Sequence, residues 1–579
     1  MNSIQNKLIE ISNKDSFLEE VYQLYLNNSD DRSAIGQELA TLHNQGIINI
    51  VAKFQNLKKS LQGHNFFGTC HIFEDALPAL NAPVLEIMDC VKHLTIEAGN
   101  NLAAGTTVSS FITYCEANNT RPHEVLTHAF TDIEESFDFI APALIAGSKA
   151  NLQEFVNKAI ELTSHENIDV CTKATFALGR INYLENTPLI HSALEALNSM
   201  VHTKYSDNLF ATTLKSIFSL YTLDKKNEIE VVELIKFVLN YKESIILHNA
   251  SDIFSFDNSN IPESMLDLFL EALVEVKPEN TGTLQNIDLG LNHLLEINME
   301  DKAFIFLDKL LTLNKGTISI SQFSSFIHTI LENKHQLNKL VTRWLLAKSV
   351  LFGRTASDLI GNYSDKGTRL KADLTQLENQ QKDIRLFLAR KACAWFFLHP
   401  VSAVSFIVSL VDSASEDEVE SIREIIFNPL LISYSGSVKD YLNEISEESS
   451  KKVQTTISHL LKVVDSYHDG LRSAKIITEL SPTISQREAY QRKWNRLMSD
   501  SFKEAPKGFL SEIFGKPSIL LYGNSSIHYI HNGANDNKER QVMPMHSISH
   551  STEFPALEFL DPHGLDYMLR IFKLEGCSS

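Results

Sequence analysis

Residues that break helices are scarce in this sequence. Only 22 of its 579 residues are glycine and 15 are proline, and both fractions lie below the roughly 7% and 5% that are usual in proteins. So few breakers over such a length favour α-helix. The hydrophobic fraction of 43% argues against a largely disordered chain, because disordered chains lack this much apolar residue. The chain is also longer than one compact core usually grows, so we expect several domains or an elongated array.

Cysteine is sparse as well, with six residues that are all at least 20 positions apart. This spacing excludes a CxxC motif, zinc-finger spacing and a dense disulfide framework. Isolated thiols are typical of a reducing compartment, so we predict a cytoplasmic protein. The sequence offers no motif from which to predict a catalytic residue or a cofactor.

One stretch lacks charge altogether, the 19 residues from Cys393 to Val411. Its length is near the minimum of about 17–25 residues for a membrane-spanning helix. However, His399-Pro400 splits it, and an X-Pro step is a usual helix boundary. We therefore predict two buried helices joined at the proline, and no membrane partner.

Against this background, the segment Ile168–Ile181 stands out as an amphipathic helix that resembles the second helix of a HEAT repeat. Asp207 opens a similar helix 38 residues after Asp169, close to the period of about 40–47 in such repeats. This second copy departs from the family at Thr212 and Ser216, where small apolar residues are usual. The resemblance implies stacked helix pairs, with a close approach at Gly179 and with these residues facing the neighbouring helix: Val170, Ala174, Ala177, Leu178 and Ile181.

We predict a mainly α protein, an irregular HEAT-like α-solenoid with a small C-terminal α+β module. The predicted regions are an N-terminal helical region at 1–148, HEAT-like repeats at 149–350, a helical continuation at 351–508 and the module at 509–579. Within the module, 518–522 and 527–530 are β-type runs, and 541–554 holds a further strand. Gly523-Asn524-Ser525-Ser526 is a hairpin turn rather than a phosphate loop, which needs a lysine and a following helix. Asp561-Pro562 begins a final helix.

A basic segment interrupts this acidic chain, whose formal charge is −20. Residues 333–395 contain twelve Lys and Arg against five Asp and Glu. With a second run at 487–507, they suggest a stripe that binds phosphate backbones and stacks exposed bases. A solvated helix face paired with acidic neighbours is the more common origin of such runs. The candidate nucleic-acid residues are Lys334, Lys339, Arg343, Lys348, Arg354, Lys366, Arg369, Lys371, Arg385, Arg390, Lys391, Arg492, Lys493, Trp494 and Arg496.

Histidines and one cysteine supply two further candidates. Imidazole nitrogens bind zinc, so the five histidines of the module are candidate metal ligands, although surface positions are the commoner explanation: His528, His531, His546, His550 and His563. Cys70 and His71 lie in a predicted packed loop at 61–74 together with His64. Catalytic Cys–His pairs are recognised by geometry, and we interpret Cys70 as a buried structural thiol.

The function that this architecture favours is non-enzymatic. We predict a scaffold or adaptor that binds a protein partner on an extended helical surface, with the acidic stretch 225–301 meeting a basic partner. The first alternative is nucleic-acid binding through 334–391 and 487–507, and the second is a metal-dependent hydrolase in the C-terminal module. Membership of a multi-protein bacterial system of the defence type is a hypothesis that no residue carries.

Overall fold

The protein is mainly α-helical and divides into two compact units. The first comprises Met1–Ile318 and Gln322–Phe326, and the second comprises Ser319–Ser321 and Ile327–Ser579. The boundary between the units falls within the predicted region 149–350. The computed structural model describes residues 3–28, 31–62, 66–99, 101, 103–184, 186–361, 367–377, 383–474, 476–477, 482–504, 525–531, 538–544 and 553–576.

Up to residue 313 the described chain is a succession of short helices. They are α1 (Ser3–Ile11), α2 (Phe17–Asn27), α3 (Ser33–Asn44), α4 (Ile50–Phe54), α5 (Lys59–Gln62), α6 (Phe66–Ala76), α7 (Val84–Ala98), α8 (Ala104–Glu116), α9 (Arg121–Thr131), α10 (Ile133–Ser136), α11 (Ile140–Ala150), α12 (Leu152–Leu162), α13 (Ile168–Leu178), α14 (Thr187–Val201), α15 (Asp207–Leu223), α16 (Glu228–Leu239), α17 (Ser244–Phe256), α18 (Glu263–Leu273), α19 (Thr281–Glu296) and α20 (Glu300–Leu313).

The remaining chain is also mostly helical and contains one β-hairpin. Its elements are α21 (Ser324–Glu332), α22 (Lys334–Leu346), α23 (Val350–Gly361), α24 (Ile384–Trp395), α25 (Pro400–Leu410), α26 (Glu416–Ile425), α27 (Ser435–Ser446), α28 (Lys451–Ala474), α29 (Ile484–Glu504), β1 (Ser525–His531), β2 (Lys538–Pro544), α30 (Leu557–Leu560) and α31 (Pro562–Leu574). A single π-helical turn, Ile426–Leu431, follows α26.

Within the first unit, helix pairs stack in two layers. In one layer α11, α13, α15, α17 and α19 each pack against the next, and in the other α12, α14, α16 and α18 do the same. The first residues of α13, α15, α17 and α19 are separated by 39, 37 and 37 positions. The helix pair is therefore the repeating element of this part of the chain.

The segment that resembles a HEAT helix forms α13, and its predicted apolar stripe is confirmed. Val170, Ala174, Ala177 and Leu178 are buried, as is Ile181 just after the helix. Gly179 lies against α15, where an added Cβ would be 2.6 Å from the Cα of Ser216. The Ser216 hydroxyl is itself buried and donates to the carbonyl of Thr175 at 2.8 Å. This bond gives the buried hydroxyl a partner at a position where the sequence analysis expected a small apolar residue.

The uncharged stretch near residue 400 forms two helices, as predicted. α24 ends at Trp395 and α25 begins at Pro400, and buried side chains line both helices. Among the described residues, no helix has the length and apolar character needed to cross a membrane.

An extended strap, residues 370–373, runs between α22 and α25. Its backbone N–H groups donate alternately to the two helices. Leu370 and Ala372 donate to the hydroxyls of Ser405 and Ser409 on α25, at 2.9 and 2.8 Å. Lys371 and Asp373 donate to side-chain oxygens of Asn338 and Thr342 on α22, both at 2.9 Å. Side chains thus satisfy backbone groups that a sheet would otherwise pair.

The C-terminal region differs from the predicted separate α+β module. Strands β1 and β2 form an antiparallel hairpin in which His528 is paired with Gln541, so a strand at 527–530 is confirmed. Ser525 and Ser526 belong to β1 rather than to a turn, whereas 518–524 lies outside the described residues. The predicted final helix is α31, and it packs on α23 and α24. Residues 553–576 are therefore part of the second unit and do not form a core of their own.

Candidate functional site

A cavity of about 520 Å³ opens on the first unit between α7, α8, α11 and α13. Its floor includes Phe111 and Phe139, two buried rings in edge contact with their centroids 5.2 Å apart. At the mouth, Ile96 is 67% exposed and Phe176 is 42% exposed. The apolar side chains that line the cavity are Val91, Ile96, Val108, Phe111, Ile112, Phe139, Ala141, Pro142, Ile145 and Phe176.

Two ion pairs flank this cavity. Lys92 on α7 donates to Glu135 on α10, and Lys173 on α13 pairs with Asp138 at 2.5 Å. In both pairs the lysine is about one-third exposed, whereas Glu135 and Asp138 are 67% and 70% exposed. The hydrogen bond from Lys92 lowers the pKa of Glu135, so this carboxylate is ionised at neutral pH. At the rim, both carboxylates therefore present more of their surface to the solvent than their lysines do.

A second cavity of about 520 Å³ continues along α13, α15 and α17 and shares Phe176 and Thr212 with the first. We call the two cavities together the groove. Its second half contains an ion pair between Lys215 and Asp252, at 2.5 Å, and ends near Phe256, which is 68% exposed. An exposed apolar surface of this kind, rimmed by polar groups, is characteristic of interaction sites.

Neighbouring helix pairs hold the groove in position. Besides the contact of Gly179 with Ser216, the Asn249 side chain on α17 donates to the carbonyl of Ala211 on α15 at 2.8 Å. Asn286 on α19 donates to Asp252 at 2.6 Å, which orients the carboxylate that also pairs with Lys215. The lining helices are thus fixed one against the next by buried or half-buried polar contacts.

None of the groove residues was predicted individually as a site residue from the sequence, although Asn249, Asp252, Ile253, Phe256 and Asp257 lie within the stretch 225–301 that we predicted to meet a basic partner. Phe176 belongs to the HEAT-like segment, and its apolar side chain looks like one more core residue there. The available signal was its position, because it is a bulky apolar residue outside the stripe of Val170, Ala174 and Ala177.

The predicted basic residues of α24 are used inside the second unit. Arg390 forms a two-pronged ion pair with Glu575, with Nε at 2.7 Å from a carboxylate oxygen. Lys391 is only 2% exposed and donates to the carbonyl of Lys573 at 2.7 Å. Burial lowers the pKa of Lys573, whose ammonium lies 5.1 Å from the ring centroid of Trp395. The C-terminal helix therefore covers this part of the basic segment.

Three other predicted basic residues also have partners within the chain. Arg369 pairs with Glu444 at 2.6 Å, and Arg385 donates to the hydroxyl of Ser413 at 2.9 Å. Lys493 on α29 donates to the carbonyl of Glu558 at 2.6 Å.

The other members of the predicted stripe differ in exposure. Trp494 beside Lys493 contacts the rings of Phe554 and Phe559 and keeps 38% of its surface exposed. Lys339 and Arg343 are half-buried, and Lys366 lies outside the described residues. The exposed members are Lys334, Lys348, Arg354, Lys371, Arg492 and Arg496.

The described candidate metal ligands lie on two different elements. His528 and His531 are positions of β1, His563 lies in the first turn of α31, and His546 and His550 fall outside the described residues. Across the part of the chain that the structure describes, no three His, Cys, Asp or Glu side chains come together as a metal site. Metal binding stays a prediction, which metal analysis of the purified protein with His528→Ala and His546→Ala controls would test.

Cys70 lies in a helix. The predicted loop over 61–74 is wrong at 61–62, which end α5, and from Phe66 onward, where α6 begins. Burial raises the pKa of the Cys70 thiol to about 12, so the thiol stays protonated and is a poor nucleophile at neutral pH. His71 instead contacts the buried carboxylate of Glu74 at 2.7 Å. The interpretation of Cys70 as a buried thiol is confirmed, and His64 lies outside the described residues.

No protein-family model matches this chain, and a search of the curated proteins finds no match either.

Proposed function

We propose that this protein is a non-enzymatic scaffold or adaptor, a HEAT-like α-solenoid that binds a protein partner along the groove of its first unit. Partner binding along stacked helix pairs uses a long surface rather than an enclosed site. Location in the cytoplasm and membership of a multi-protein assembly belong to the same proposal.

The observation that carries the proposal is the groove itself, in which Phe176 joins a mainly apolar cavity to a second, more polar one. Ile96 and Phe256 expose apolar surface in either half. Burying such side chains contributes roughly 25 cal/mol per Å² of apolar area removed from water. A protein segment seated there would gain most of its affinity from a few such contacts, as interface hot spots do.

The test is affinity purification of the intact chain followed by mass spectrometry, with one disruptive and one matched variant. Phe176→Asp places a charge at the centre of the groove and is expected to abolish recovery of a stoichiometric protein partner. Ile229→Asp changes a residue on α16 that is 83% exposed and lies outside the groove, so recovery should be unchanged. A partner retained equally by both variants would contradict the proposal.

Nucleic-acid binding is the second candidate, and α29 favours it. This helix exposes Tyr490, Trp494 and Arg492 together, a combination that suits stacking and phosphate contact. It has less support than protein binding, because Arg390, Lys391 and Lys493 already have partners within the chain.

A further inference from the structure

We propose that the cavity between α7, α8, α11 and α13 receives one bulky apolar side chain of a partner segment that carries Lys or Arg beside it. This inference rests on the proposed function and adds the chemistry of the partner. The apolar anchor would enter between Ile96 and Phe176, and the flanking cations would meet Glu135 and Asp138.

The wall of the cavity selects the apolar anchor. Its volume of about 520 Å³ falls within the range of about 300–1,000 Å³ of sites that enclose organic groups. The floor is formed by buried rings, and Ile145 and Pro142 extend it along α11. An aromatic or large aliphatic side chain would cover Ile96 and Phe176 and remove their exposed surface from water.

The rim selects the flanking cations. Glu135 and Asp138 each use one oxygen for a lysine of the chain, and an ionised carboxylate has about four acceptor positions. Both carboxylates are more than two-thirds exposed, whereas the lysines that pair with them are only about one-third exposed. A guanidinium or ammonium arriving from solvent would therefore meet the carboxylates first.

The charge of the whole first part of the chain points the same way. Residues 1–318 contain 22 Lys and Arg against 42 Asp and Glu, whereas 319–579 contain 30 of each. The net charge of −20 therefore belongs to the segment that holds the cavity. Such a field attracts a cationic partner and accelerates its association. A second copy of this chain would bring the same surplus of acids, so we assign the cavity to a different, basic partner.

The test uses fluorescence anisotropy of the intact chain with three labelled peptides of equal length. One has a central Trp flanked by Lys and Arg, one replaces that Trp by Ser, and one replaces the cations by Glu. We expect the first peptide to bind at least about tenfold more tightly than the other two, since a buried aromatic anchor and a complementary charge each contribute on that scale. Equal affinity for the three peptides would overturn the inference.

Two charge-reversal variants distinguish the effect of the rim carboxylates on peptide binding from the effect of the net charge of the first unit. Glu135→Lys with Asp138→Lys should lower the affinity for the basic peptide by about tenfold or more, and should raise the affinity for the acidic peptide. The matched control is Asp267→Lys with Glu271→Lys on α18, which changes the net charge equally at exposed sites elsewhere on the first unit. Equal weakening by both pairs would overturn the inference, because binding would then follow net charge alone.

A photo-crosslinker at position 96 distinguishes this inference from the proposed function. If the recovered partner is crosslinked through a segment with an apolar residue between Lys or Arg, both stand. A crosslink to an acidic segment, or to a second copy of the chain, overturns the inference. The scaffold role is then decided separately by whether Phe176→Asp abolishes recovery of the partner.

Discussion

Several individual residues are important for packing because other atoms lie within about 3 Å of them. Gly179 leaves room for Ser216, and Gly353 leaves room for Trp395, whose ring would be 2.2 Å from an added Cβ. Asp288 is buried and accepts the backbone N–H groups of Ser325 and Phe326 at 2.9 and 2.8 Å, at the start of α21. Such positions tolerate little change, because a packed interior relaxes only partly around a misfit.

Gly179→Ala is expected to destabilise the first unit by about 1–3 kcal/mol, the usual cost of overpacking. The added Cβ would be 2.6 Å from the Cα of Ser216, which is a backbone atom of α15 and has no side-chain freedom to move away. The measurement is the free energy of unfolding in urea. Gly105→Ala is the matched control, because Gly105 lies in α8 with nothing within 4 Å of an added Cβ. There, alanine should be neutral or stabilising by about 0.5–1 kcal/mol, and equal losses in the two variants would contradict the packing argument.

His399 is expected to make the second unit less stable in mild acid. Burial lowers the pKa of this side chain in the folded protein, while the unfolded chain keeps a value of about 6.5. As the pH falls below about 6.5, the unfolded state takes up the proton first, so stability is full above that pH and is lost below it. Thermal melts at about pH 7.5 and 5.5 should show a smaller acid-induced loss in His399→Gln than in the wild type. An identical pH dependence in the two proteins would contradict this assignment.

At the scale of elements, the sequence predicts most features that depend on neighbouring residues. Ser415 and Glu418 have the three-residue spacing that predicts a capping box, and the box is present at the start of α26. Pro400 begins α25, as predicted. These signals are local, so one stretch of sequence contains both partners. The strap between α22 and α25 and the pairing of Arg390 with Glu575 join residues that are far apart in the chain. Such contacts depend on how the elements pack. From the spacing of charges alone, we predicted Arg390 to be a phosphate contact.

Two carboxylates near the C-terminus can be compared: Asp566 lies within α31, and Glu575 follows directly after it. Glu575 pairs with Arg390 where both side chains are less than one-third exposed, whereas Asp566 pairs with Arg570 where both are more than 60% exposed. We expect Glu575→Ala to cost about 1–2 kcal/mol, because charge-assisted two-pronged bonds are strong. Asp566→Ala should cost less than about 0.5 kcal/mol, as exposed pairs usually do. Hydrogen exchange of the α31 amides measures both, and similar protection in the two variants would contradict the expected difference.

For the molecule as a whole, charge is distributed unevenly along the chain. All of the net charge of −20 arises from residues 1–318, and the later part is balanced although it contains the basic segment. The sequence shows this imbalance directly. It does not show that a helix from the other end of the chain covers part of the cations of 333–395. For this reason, fewer of the predicted cations are exposed than the sequence suggested.

We therefore expect the intact protein not to retard single- or double-stranded oligonucleotides in a gel at about 0.15 M salt, where long-range attraction is screened. The reason is that several of the predicted cations already have partners within the chain, and the acidic chain as a whole repels phosphates. A salt-dependent shift that Arg492→Glu with Arg496→Glu removes would favour nucleic-acid binding through α29. The control pair is Arg472→Glu with Lys462→Glu on α28, outside the predicted stripe.

The nearly constant spacing of the helix pairs, 39, 37 and 37 positions, implies that the array can change length by whole blocks. Residues 244–280 form a block of 37 positions that contains α17 and α18, and each pair contacts mainly its neighbours. If this block were deleted, α19 would follow α16 directly, and Asn286 would take the place of Asn249, 37 positions earlier. An asparagine amide would again face the Ala211 carbonyl, so a shortened chain keeps the same lateral bond. Duplicating the block would lengthen the groove by one step, and this gives evolution or an engineer a way to fit the surface to longer or shorter partners.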